Sequence, residues 1–195
     1  MAREPVFFSR SAVATEALGE ALGRALPPGA FVALDGELGS GKTCFVRGLA
    51  RGLGVREAVT SPTYALLQTY RGRVELAHLD AWMEGRERAF LMDGGLDSLD
   101  PDGVVVVEWA DRVRDALPTT RIAVRLEHAG RDTRRIQFAV EGAGPPAAAL
   151  ARALEAACAD VAKRAEATEL AREEHTDGKD ERDGAQERAP RPEVP

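Results

Sequence analysis

Apolar positions along the chain recur first at helical spacing and then in short runs, and the two patterns alternate. Ala14, Ala17, Leu18, Ala21, Leu22 and Ala25 share one helical face. Ser11 is placed to cap that helix and Pro27-Pro28-Gly29 to end it, so a helix is expected over residues 12–25. Residues 31–34, Phe-Val-Ala-Leu, form a strand-like run. Phe45, Val46, Leu49, Ala50 and Leu53 return to helical spacing, with Gly54 as a natural stop. Residues 64–70 and 74–80 read as a hairpin across Arg71-Gly72-Arg73. Four valines in a row, 104–107, suit a strand buried on both faces of a sheet. Residues 122–126 and 135–140 flank His128-Ala129-Gly130-Arg131-Asp132 as a second hairpin. Beyond Pro145-Pro146 an alanine-rich stretch to residue 172 favours helix by propensity, although its apolar face is thin.

Composition bounds the chain to one domain with an extension and a tail. The formal net charge is −6, and residues 165–195 hold ten acids and five bases, which leaves the body near neutral. A near-neutral body gives no general electrostatic reason for tight autonomous binding to a nucleic-acid backbone. The tail has almost nothing apolar to bury and is expected to be disordered. The expected organisation is a nucleotide-binding domain over 1–145, a helical extension over 146–172 and an acidic tail over 173–195. No run of 18 apolar residues occurs and the first ten residues lack a signal-peptide core, so a cytoplasmic protein is expected. Cys44 and Cys158 form no C-x-x-C pair, and Cys44 reads as a small packed residue.

The candidate chemistry lies between the second apolar run and the second helix. Residues 36–43, Gly-Glu-Leu-Gly-Ser-Gly-Lys-Thr, fit the phosphate-binding loop G-x-x-x-x-G-K-[ST]. Its glycines let backbone N–H groups turn toward phosphate oxygens at a helix N-terminus. Lys42 is one of only three lysines beside 23 arginines, and it stands where a slim point charge is needed. Its ammonium can reach the β- and γ-phosphates, while the Thr43 hydroxyl can ligate Mg²⁺. The fold expected is therefore α/β, a P-loop NTPase-like three-layer sandwich on a mixed parallel and antiparallel sheet with β-hairpins. Asp80 and Glu108 end strand-like runs, where P-loop proteins hold Mg²⁺ or orient a water. His78 shares a strand face with Asp80 and suits either a hydrogen bond that supports it or a satisfied structural histidine. Thr60-Ser61-Pro62-Thr63-Tyr64 is a proline-stiffened hydroxyl cluster suited either to a switch element or to an ordinary turn.

Taken in order, Gly-Glu-Leu-Gly-Ser-Gly-Lys-Thr, Thr-Ser-Pro-Thr-Tyr, His-Leu-Asp-Ala-Trp and Glu-Trp-Ala-Asp-Arg resemble the TsaE (YjeE) family over residues 11–141. The family pattern is G-[DE]-L-G-[AS]-G-K-T, S-P-T-[FY], H-x-D-x-Y-R and E-W. The resemblance implies a Mg²⁺-dependent ATPase, weak alone, that acts with the TsaB–TsaD complex and meets tRNA through it. That system places a threonylcarbamoyl group on N6 of the adenosine next to the anticodon in tRNAs reading ANN codons. By position, the resemblance has Glu37, Leu38, Gly39, Ser40, Gly41 and Lys42 wrap the ATP phosphates. It has Thr43 and Glu108 ligate Mg²⁺, with Asp80 as the Walker B-type acid in the same metal and water site. Thr63 falls in the switch segment, Trp109 beside the site, and Ser11 and Arg131 near adenine or ribose.

The chain departs from the pattern at Trp82-Met83, where Tyr-Arg is usual and a charge is lost. It also has Cys44-Phe45 where Thr-Phe is common, and an extension beyond residue 145. The alternative class is a P-loop small-molecule or nucleoside kinase, which would need an acceptor pocket and an arginine-bearing lid. A GTP-dependent switch is disfavoured, because a chain without asparagine cannot carry N-K-x-D.

Overall fold

The computed structural model describes residues 4–62, 65–83 and 85–180, with the side chains of the last helix described to residue 167. Seven strands form one sheet: β1 (Val6–Ser9), β2 (Phe31–Asp35), β3 (Leu67–Tyr70), β4 (Leu76–Asp80), β5 (Val104–Glu108), β6 (Arg121–His128) and β7 (Arg134–Glu141). Their order is β1-β7-β6-β2-β5-β4-β3. The inner four, β6, β2, β5 and β4, run parallel, and antiparallel hairpins close both sides. Because the inner strands run the same way, β2, β4 and β5 end at one edge of the sheet, the edge where ligands bind in open α/β folds.

Helices cover both faces. α1 (Ala12–Ala25), α2 (Lys42–Gly52) and α4 (Gly144–Asp180) lie on the face reached by Val32, Leu34, Leu76, Val104 and Val106. α3 (Arg86–Met92) and 3-10 turns at Gly95–Ser98 and Ala110–Ala116 cover the face of Ala33, Ala77, Leu79 and Val107. The layering and the mixed sheet are as the sequence predicts. The valine run is β5, with Val104, Val106 and Val107 buried and Val105 partly so. β3 starts later than the hydropathy pattern suggests, because Leu66 takes a left-handed backbone (φ 69°) that breaks the strand.

α1 and α2 touch backbone to backbone. A Cβ on Gly48 would stand 1.9 Å from the Glu16 carbonyl oxygen, and one on Gly19 2.2 Å from that of Phe45. Only glycine permits this approach. Ser11 caps α1 as expected, its Oγ accepting from the Ala14 N–H at 3.1 Å. The thin apolar face of α4 is enough to bury Leu150, Leu154 and Ala157 against the first core. There Phe7 and Phe138 meet edge to face at 5.9 Å. α4 is assigned through Asp180, into the stretch expected to be tail, and residues 181–195 lie outside the described residues.

Candidate nucleotide and metal site

The loop after β2 turns at residues 36–41 into the first turn of α2. Gly41, which precedes α2, has φ 103°, a left-handed value that an L side chain would resist. The turn therefore presents backbone N–H groups at a helix N-terminus, a ready anion site. Beside it lies a cavity of about 420 Å³ lined by Leu38, Gly39, Gly41, Lys42, Thr43, Cys44, Ser61, Asp80, Trp82, Glu108 and Trp109. That volume falls in the range of small-molecule pockets.

The structure thus brings Lys42, Thr43, Asp80 and Glu108 together on one cavity. The parallel register pairs Asp80 with Glu108 across adjacent strands. Thr43 Oγ1 donates to Glu108 Oε2 at 3.0 Å. Asp80 accepts from the Ser61 hydroxyl at 2.6 Å and from the Trp82 N–H at 3.0 Å. Ser61 thus ties the 60–64 segment to the aspartate, while Thr63 lies outside the described residues. Both carboxylates are 2% exposed. Among the described residues no group of three or more His, Cys, Asp or Glu side chains could hold a metal. A hydroxyl and two carboxylates are hard oxygen donors, and they fit Mg²⁺ when phosphate oxygens and waters complete the shell.

Lys42 donates from Nζ to the carbonyls of Gly36 and Glu37 at 2.7 and 2.9 Å, and its ammonium sits 3.4 Å from the centre of the Trp109 ring. Burial lowers its pKa from the usual lysine value, while the carboxylates of Glu108 and Asp80 pull it the other way. Trp109 holds a left-handed backbone (φ 59°) at the end of β5 and packs on Trp82 with ring centres 4.5 Å apart. On its far side is a wider cleft of about 520 Å³ lined by Asp35, Glu37, Asp111, Arg114, Arg125 and Glu127, among others. It lacks the lysine, the threonine and the paired carboxylates. Although position 83 carries no charge, a guanidinium stands next to Trp82. Arg112 lies 4.4 Å from that ring and donates to the Trp82 carbonyl at 2.6 Å.

One sequence expectation is corrected. His78 does not support Asp80: its Nε2 lies 3.0 Å from Glu108 Oε1, one strand over. Ser11 and Arg131 do not line the cavity: Ser11 caps α1 and Arg131 lies in the turn between β6 and β7. Cys44 Sγ donates to the Ala12 carbonyl at 3.2 Å, which holds the start of α1 against α2. Burial raises the Cys44 thiol pKa, as suits a packed residue. On the other side His128 Nε2 stands 3.4 Å from the Leu38 carbonyl, and Arg134 donates to that of Gly39 at 3.2 Å. Both come from the hairpin whose turn carries Arg131. Ser61 and Arg112 lie in segments that the sequence singles out, but their particular partners, Asp80 and Trp82, are met only through space.

The family model for threonylcarbamoyl adenosine biosynthesis protein TsaE matches residues 9–136. The tRNA threonylcarbamoyladenosine biosynthesis protein TsaE of Treponema pallidum is 41% identical over 131 residues, 67% of this chain and 97% of that protein. Its counterpart in Bacillus subtilis is 36% identical over 130 residues, 66% and 80% of the two chains. The crystal structure of Bacillus subtilis YdiB superposes with a TM-score of 0.65 at 27% identity, over 84% of this chain and 97% of that one. The matched span carries the phosphate loop, both carboxylates and the two flanking segments, and on that footing the chain belongs to the TsaE family of threonylcarbamoyl adenosine biosynthesis proteins.

Proposed function

We propose that this chain is a Mg²⁺-dependent ATPase of tRNA N6-threonylcarbamoyladenosine formation. It works in the cytoplasm with the TsaB–TsaD complex and meets tRNA through that complex. The observation that carries the reading is the convergence of Lys42, Thr43, Asp80 and Glu108 on one cavity beside the phosphate loop. The loop residues 37–42 hold the phosphates by backbone N–H groups, and Lys42 adds its charge. Thr43 and Glu108 would hold Mg²⁺, which when bound neutralises charge on the β- and γ-phosphates. Asp80, aligned by Ser61 and by the Trp82 N–H, acts as the Walker B-type acid and orients the attacking water. Thr63, in the same segment as Ser61, completes the switch. Ser11 and Arg131 approach the base or ribose.

ATP hydrolysis by the purified protein, alone and with TsaB–TsaD, tests this. Turnover should be slow alone and strongly stimulated by the partners. Lys42→Ala should lose phosphate binding and with it the activity, whereas Glu108→Ala should keep ATP binding and lose metal-assisted turnover. Full activity in both variants, or no stimulation of the unmodified protein, overturns the reading.

A further inference from the structure

We propose that His78 is a positioning residue of the metal site, acting through Glu108. The inference rests on the Mg²⁺-dependent reading above. Glu108 is a carboxylate taken almost wholly out of water, and such a group needs its oxygens bonded. It receives Thr43 Oγ1 on Oε2 and His78 Nε2 on Oε1, each at 3.0 Å. The Thr43 hydroxyl has one hydrogen and two lone pairs. With its hydrogen committed to Glu108, its lone pairs are left for a cation. The carboxylate thus aims the hydroxyl, and the imidazole fixes the carboxylate.

The fold leaves the imidazole little freedom. His78 is 0% exposed in the middle of β4, a strand buried along its whole length. It pairs with Val106, while Asp80 pairs with Glu108, so the ring lies one step below the carboxylate on the strand face that also carries Leu76. Its Nδ1 is buried with no hydrogen-bond partner among the described residues. Nε2 faces a carboxylate oxygen, so the bond between them is made with a hydrogen on the imidazole. The geometry therefore selects the tautomer with its hydrogen on Nε2, the atom that faces Glu108. A single N–H donor on Oε1 orients Glu108 and leaves Oε2 to the Thr43 hydroxyl.

The test compares His78→Gln, whose amide nitrogen reaches as far as Nε2, with His78→Leu and His78→Asn, which cannot make the bond. Mn²⁺ binding in the presence of ADP is followed by the loss of the free-ion electron paramagnetic resonance signal, and ADP binding is measured separately in EDTA. Leu and Asn should weaken Mn²⁺ binding by roughly 10–100-fold, the usual cost of losing a partner behind a metal ligand. They should leave ADP binding in EDTA unchanged, and Gln should retain wild-type metal affinity. Wild-type Mn²⁺ affinity in the Leu or Asn variants overturns the inference and leaves the ATPase reading standing. If the wild-type protein binds ADP but no Mn²⁺, the metal-dependent reading falls and takes this inference with it. Should the Leu variant fail to fold, long-range ¹H–¹⁵N correlation on the wild-type imidazole decides: a proton on Nε2 supports the role, and one on Nδ1 overturns it.

Discussion

Asp35, the last residue of β2, shows how burial near the site sets a titration. Burial raises its carboxyl above the ordinary aspartate value, and the Arg114 guanidinium 2.9 Å away offsets only part of that. A carboxyl whose folded-state pKa is raised favours the fold when protonated. Its contribution is full below the ordinary value and is lost as pH rises through the raised one. Asp35→Asn cannot titrate, so it should gain stability relative to the wild type as the pH goes from about 3 to 7. Paired melting curves across that range check this, and a constant difference would rule out burial as the cause. At the same scale, single residues were legible where one position dictates chemistry, as at Lys42 and Thr43. His78 was legible only in part. Strand alternation places it with Asp80, but its partner is fixed by the register of β4 against β5, which one-dimensional periodicity does not contain.

Among the elements, the α1–α2 seam is the most exacting. Gly48 sits where the Glu16 carbonyl leaves no room for a methyl, and the obstacle is backbone, which cannot swing aside. Gly48→Ala should cost about 3 kcal/mol, the upper end for overpacking. At this chain length that lowers Tm by roughly 6–12 °C, and thermal unfolding measures it. If the variant melts with the wild type, α1 and α2 are packed less closely than described. Ion pairs also bridge these helices, Arg51 to Glu16 at 2.6 Å and Arg24 of α1 to Asp160 of α4 at 2.7 Å. Exposed pairs of this kind contribute little beside the seam. The helices with a continuous apolar face were readable from spacing, and so were the hairpins. α3 was not, since its buried residues are only Glu87 and Leu91 and it shows no apolar stripe. β1 escaped because four residues, of which Val6 and Phe8 are exposed, give no usable alternation.

For the molecule as a whole, α4 lies beyond the family match, which ends at residue 136, yet it completes the first core. Burying Leu150 and Leu154 alone is worth roughly 3–6 kcal/mol, a large share of the ~5–15 kcal/mol that holds a domain together. Ending the chain after Gly142 should therefore leave Phe7, Leu18, Leu22 and Phe138 open to water and give an unstable, aggregating protein. Ending it after Ala167 should leave melting nearly unchanged, because that chain keeps Leu150, Leu154 and Ala157, the residues by which α4 packs on the first core. Equal stability of the two truncations would show that the helix is dispensable. At the same scale, the chain has two tryptophans, and both line the cavity beside the phosphate loop, ring against ring. All of its indole emission thus arises from one spot, with the Lys42 ammonium against one ring and the Arg112 guanidinium against the other. The protein carries an optical probe at its own phosphate site, and a phosphate that draws Lys42 away from Trp109 would be reported by light without any label.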